Sequence, residues 1–281
     1  MNNIGLILEG GGMRGAYTAG CLNWLLENNI EFNYGVGISS GAVTLSSFYL
    51  KNSKFLYDIS VKHMSDKRNV GIIPLLKEGR YVGYDYMFDT LLKEELKYST
   101  KPIEDANIEI GLYDLELGQT EYYSIKDFDD DLRMLKASCA LPIAGRIVDY
   151  NGHRFLDGGI CTMIPIERSI EKKMDKHFVI VTKPAGYVRK PASSFMQKLM
   201  KFNYPKYPKL IKQYRDRHIS YNNQMNIIEQ GVKDNNTFLV RPSIEIPVKR
   251  FKGDPENLKK LYELGYSDME NQKEQILKFI Q

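Results

Sequence analysis

Ser39 stands at the centre of Gly37-Ile38-Ser39-Ser40-Gly41, a GxSxG pentapeptide that suits a nucleophilic serine on a sharp strand-to-helix turn. Gly37 and Gly41 would relieve crowding while the turn lifts the hydroxyl above a sheet. GxSxG is also a common chance turn, so context must decide. Ser40 lies off the central position and reads as a helix cap. Upstream, Gly10-Gly11-Gly12-Met13-Arg14-Gly15 is a GxGxxG loop. Its free N–H groups at a helix N-terminus suit either a dinucleotide pyrophosphate or the oxyanion of a tetrahedral intermediate. The dinucleotide reading needs an acid at the end of the second strand. Glu31 lies before that strand, and the GxSxG segment occupies its end.

Serine needs a base. An α/β-hydrolase would place several strands before the elbow and supply an acid and then a histidine after it. Only 38 residues precede Ser39, room for one strand and one helix. His177 opens an apolar strand and His218 lies in a basic stretch, so both read as structural or solvent-facing. His153 stays a candidate through its closeness in sequence to Asp157. Asp157 is the better one, set between a hairpin end and Gly158-Gly159, which would let substrate and Ser39 approach. Its plainer reading is a loop carboxylate in an Asp-Gly turn.

These residues need a scaffold. Ile4–Leu8 predicts a buried strand and Ala16–Leu26 a helix; Tyr34–Ile38 and Gly41–Leu50 repeat the plan. Two strand–turn–helix units at the start predict a parallel sheet covered by helices. Ile108–Tyr113 and Thr120–Ile125 flank a turn at Gly118. Asn151-Gly152 joins Ile147–Tyr150 to His153–Leu156 as a hairpin that delivers the chain to Asp157. Phe178–Val181 is a further strand, 220–230 an amide-rich helix and Phe238–Val240 a last strand. Asp254-Pro255 opens a final helix with Gly265 as its C-cap.

With 281 residues, 43% hydrophobic and 26% charged, the chain can bury a large core, which argues against disorder or a disulfide scaffold. No apolar run is long enough to cross a membrane, and Met1-Asn2-Asn3 lacks the cationic start of a secretion signal, so a cytoplasmic protein is expected. Cys21, Cys139 and Cys161 are far apart and read as free thiols; the four histidines lack metal-ligand spacing. No metal or cofactor is expected. The net charge of +4 hides a stretch, 183–217, with ten Lys or Arg against Asp216 alone; it carries +9 and leaves −5 elsewhere. Phe195, Phe202, Tyr204 and Tyr214 interleave with its lysines. One reading packs the aromatics on the core under solvated lysines. The other is an interfacial cover drawn to an anionic membrane. No nucleic-acid module is visible.

GGGMRG at Gly10–Gly15, GISSG at Gly37–Gly41, ASCALP at Ala137–Pro142 and DGG at Asp157–Gly159 occur in the order of the patatin-like phospholipase family, which the first 180 or so residues resemble. FLVRP at Phe238–Pro242 and LYELGY at Leu261–Tyr266 resemble bacterial members. The resemblance implies a three-layer α/β/α fold with a mostly parallel sheet, a catalytic region over 1–182 and a helical extension over 183–281. It further implies a carboxylic ester hydrolase acting on acyl lipids or phospholipids. Ser39 would be nucleophile and Asp157 proton acceptor of a Ser–Asp dyad; Gly10–Gly12 would bind the oxyanion, with Arg14 holding the loop and Gly15 closing the motif. The alternative from another class is a catalytically silent lipid- or nucleotide-binding module using the same loop.

Overall fold

A computed structural model describes residues 3–127 and 132–281; Met1 and Asn2, part of the segment read for a secretion signal, lie outside them. β1 (Ile4–Leu8) and β2 (Tyr34–Ile38) are buried along their whole length, as strands covered on both faces must be. They pair in parallel with Ile7 opposite Val36. Helix α1 (Gly15–Glu27) links them and α2 (Ser40–Tyr49) leaves β2, so both units expected from the sequence form. β3 (Ile108–Asp114) runs parallel to β2, and β4 (Gln119–Ser124) returns antiparallel along β3. β5 (Val148–Tyr150) and β6 (His153–Asp157) make the second hairpin, with positive φ at both Asn151 and Gly152. β7 (Lys176–Ile180) and β8 (Thr237–Val240) extend the parallel pairing beyond β1. The order is β5-β6-β3-β2-β1-β7-β8, with β4 also on β3.

Alternation along β1 assigns the two faces. Leu6 and Leu8 pack with α1, α2 and the helix Pro255–Asn271, whereas Ile7 packs with Ile166 of the helix Ile166–Glu171 and Tyr221 and Ile228 of the helix Pro208–Lys233. The molecule is therefore a three-layer α/β/α fold with a mostly parallel sheet and a helical C-terminal part. Among the described residues no helix is long and apolar enough to cross a membrane.

Two sequence expectations change. The helix after Asp254 starts as expected, the Asp254 side chain accepting from the Asn257 N–H, but it runs through Gly265 to Asn271. Gly265 is no cap: a β-carbon there would lie 2.2 Å from the Tyr17 carbonyl oxygen, and one at Gly20 would lie 1.9 Å from that of Tyr262. The pair permits close crossing of two helices, which Tyr17 and Trp24 fasten by donating to Asp268 and Glu270. The amide-rich helix is also longer than expected, and the basic stretch contains a further helix, Ser194–Asn203, capped by Ser193.

Candidate active site

Neighbouring residues of β3 bring Ser39 and Asp157 together. Gly111 pairs with Ile38 at the end of β2, and Leu112 pairs with Asp157 at the end of β6. β6 thus continues the β3 edge where β2 stops, and Ser39, one residue past Ile38, sits beside Asp157. Ser39 holds φ 56° and ψ −125°, a conformation that costs a side-chain-bearing residue about 1–3 kcal/mol. Ser138 fixes it, its Oγ accepting from the Ser39 N–H at 3.0 Å and donating to the Gly111 carbonyl at 2.9 Å. The sequence signal for Ser138 was its place in ASCALP, without a role. The flanking glycines are steric necessities: a β-carbon at Gly37 or Gly41 would come within 2.6 Å of backbone oxygens, those of Gly41 and Leu8 respectively.

Asp157 is buried, its N–H donating to the Ala140 carbonyl at 2.8 Å and its Oδ1 accepting from the Gly159 N–H at 2.7 Å. The two glycines after it serve neighbours other than substrate. A β-carbon at Gly158 would meet the Gly111 oxygen at 2.6 Å, and one at Gly159 would meet Asp157 Oδ1 at 2.8 Å. Burial pushes the Asp157 carboxyl up from the usual range, opposed by the Ser39 hydroxyl, Arg250, the Gly159 N–H and Arg217. The Ser39 hydroxyl is a close neighbour of the carboxyl without a side-chain hydrogen bond of normal geometry among the described residues. Contacts of this kind tighten when substrate binds.

The histidines are engaged elsewhere. His177 Nδ1 lies 2.9 Å from Ser169 Oγ, and burial lowers its pKa. His153 Nδ1 lies 2.6 Å from Asp114 Oδ2, and His218 Nδ1 lies 3.1 Å from the Arg215 carbonyl. Asp114, Glu116 and His153 place ligand-type atoms within 4.8 Å of one another. Asp114 there accepts the N–H groups of Glu116 and Leu117, and Glu116 pairs with Arg154, which accounts for them as turn architecture.

The glycine loop is differentiated. The Gly10 N–H donates to the Met163 carbonyl at 3.1 Å and the Gly11 N–H to Ser40 Oγ at 2.9 Å. The Gly12 N–H has no intramolecular acceptor among the described residues, and Gly12 lines a cavity together with Ser39. Ser40 therefore does not cap α2, whose first turn has no side-chain cap bond; it braces the loop. Arg14 gives no hydrogen bond to the loop among the described residues, and its Nε is buried without a partner. Glu9 contributes instead, its carboxylate accepting from the N–H and Oγ1 of Thr182, against which Gly11 packs. Loop contacts of this length are invisible to local sequence pattern.

An apolar cavity of about 90 Å³ opens at Ser39, lined by Met13, Val43, Ile59, Phe88, Leu92 and Phe251 among others. Val70 and Val82 also line it, and the helix Ile72–Glu78 between them exposes Ile72, Leu75 and Leu76. In the basic stretch Met200 and Tyr204 are buried, while Phe195 and Phe202 are 72% and 83% exposed, so only some of the apolar side chains pack on the core.

Residues 207–281 match a family described as a domain of unknown function (DUF6363). The chain is 24% identical over 190 residues to the uncharacterized protein YjjU of Escherichia coli (strain K12), an alignment that covers 65% of this chain and 52% of that protein. It thus spans about half the length of this curated relative. VipD from Legionella pneumophila superposes with a TM-score of 0.47 at 12% identity, covering 96% of this chain and 66% of that one. Residues 6–170 match the family described as patatin-like phospholipase, a span that is more than half of the sequence and holds both Ser39 and Asp157; the chain belongs to that family.

Proposed function

We propose that the protein is a carboxylic ester hydrolase of the phospholipase A type, acting on acyl lipids through a Ser39–Asp157 dyad. The observation that carries this reading is the β3 register, which sets the strained serine against a buried carboxylate with an apolar cavity at the hydroxyl. Asp157 takes the Ser39 proton as Oγ attacks the ester carbonyl. The Gly10–Gly12 loop, through the Gly12 N–H, stabilises the oxyanion, and the alcohol leaves with that proton. Water, deprotonated by Asp157, then attacks the acyl-enzyme; the acyl group leaves as the carboxylic acid and Asp157 returns the proton to Ser39 Oγ. The apolar cavity takes the acyl chain.

A fluorophosphonate probe tests this directly. The wild-type protein should be labelled at Ser39 and the Ser39→Ala variant should not. A wild-type protein that stays unlabelled while folded would favour the silent lipid- or nucleotide-binding module.

Access from a lipid surface is part of the proposal. The exposed Phe195 and Phe202 share their helix with exposed Lys198 and Lys201, a pattern suited to an anionic interface. The protein should sediment with vesicles containing anionic lipid and much less with purely zwitterionic ones. Equal sedimentation with both, or with neither, would mean that the lysines are merely solvated.

A further inference from the structure

A second cleft, about 580 Å³, lies along the turn from Gly186 to Ser193 and is closed by Met196, Tyr214, Arg217 and Arg250. Its charged residues are Arg189, Lys190, Arg217 and Arg250, and no Asp or Glu lines it. None of the three arginines forms an ion pair among the described residues. Arg217 is buried, gives hydrogen bonds from one nitrogen to the Gly159 carbonyl at 2.6 Å and to Met163 Sδ at 3.7 Å, and leaves its Nε without a partner. Burial and the neighbouring Arg250 and Arg189 push its pKa down. A guanidinium does not surrender its proton near neutrality; the repulsion from neighbouring arginines outweighs the attraction of Asp157 on Arg217 and of Glu9 on Arg189, and a bound anion would relieve it. Such clusters of planar donors suit phosphate oxygens.

The cleft adjoins the dyad through two residues. Arg250 lines both it and the Ser39 cavity, and Arg217 holds the glycine after Gly158. Each lining ring already carries a cation on one face: Lys183 sits 4.7 Å over the Tyr187 ring and Arg217 4.9 Å over Tyr214. A choline-type headgroup would meet four lining cations and no carboxylate.

We propose that Arg189, Arg217 and Arg250 form a phosphate subsite beside the dyad, selecting acyl lipids whose headgroup is a phosphate without a cationic appendage. The lipid half of this rests on the ester-hydrolase reading; the phosphate half does not. Arg189→Gln is the informative variant, because the Arg189 backbone is held independently of its side chain by Asn222, through bonds of 3.0 and 3.2 Å.

Two measurements separate the sources of phosphate. In the first, kcat/KM is compared for lysophosphatidate and lysophosphatidylcholine of equal chain length. Wild type should prefer the former by about 10-fold or more, the scale of one charge-assisted hydrogen bond. Arg189→Gln should erase the preference through KM. Equal loss on both lipids would make Arg189 a structural residue and overturn the subsite. In the second, thermal unfolding is followed with inorganic phosphate. Phosphate should raise the wild-type Tm and leave that of Arg189→Gln unmoved, while without phosphate the variant should melt no lower than wild type. A phosphate-dependent Tm with no preference between lipids would overturn the headgroup assignment in favour of free phosphate. The same Tm response with no lipid hydrolysed at all would sink the hydrolase reading and leave the subsite standing. Neither response would refute both halves.

Discussion

Ser39→Ala and Asp157→Asn should each lower ester hydrolysis by about 10⁴-fold or more, and the double variant should be no worse than the weaker single one, because nucleophile and base act as a unit. The Asp157 prediction has a second part that a structural carboxylate would not share. Burial raises its folded pKa above that of the unfolded chain, so folding favours the protonated form and the ionised form costs stability at every pH above the folded pKa. Asn keeps an oxygen for the Gly159 N–H and carries no charge. Asp157→Asn should therefore melt at or above the wild-type temperature at neutral pH while being inactive. The acid limb of kcat/KM should fall through a pKa above the usual carboxylate range, since activity needs the ionised base. His177→Ala and His218→Ala should retain activity. If either were as inactive as Asp157→Asn, the dyad would be wrong.

What the sequence discloses and what it hides divide along a physical line. Strands such as Ile4–Leu8 and Tyr34–Ile38 were legible because burial on both faces demands unbroken apolar runs. The Asn151-Gly152 hairpin was legible because two positive φ values leave few residue choices. Gly265 misled because a glycine at a helix crossing and a glycine past a helix end look alike, and only the Tyr17 carbonyl, far upstream, distinguishes them. Ser40 misled for the same reason: its position at the start of α2 is a cap position, but its hydroxyl meets the Gly11 N–H. Ser138, Thr182 and the Arg189–Arg217–Arg250 cluster depend on segments that meet only after the sheet has assembled. Motifs located Ser39 and Asp157 in the chain; the β3 register supplies the physical reason that they meet.

Gly12→Ala should lower kcat by about 10²–10³-fold, the range for loss of one oxyanion donor, with much less effect on KM. The reason is positional. Gly12 sits at φ +59°, where an added β-carbon would lie 2.6 Å from the Arg250 carbonyl oxygen. That oxygen accepts the Met13 N–H at 3.1 Å, so the clash falls on a bond that shapes the loop. Alanine must either rotate toward negative φ or push Arg250 away, and either movement turns the Gly12 N–H off the oxyanion position. Gly10 and Gly11 cannot compensate, because their N–H groups already serve Met163 and Ser40. Labelling by a fluorophosphonate should slow in parallel, since the tetrahedral adduct needs the same donor. A Gly12→Ala protein that kept kcat within about tenfold of wild type would place the oxyanion outside this loop. The strand register that sets Ser39 against Asp157 would then need a different donor to complete the site.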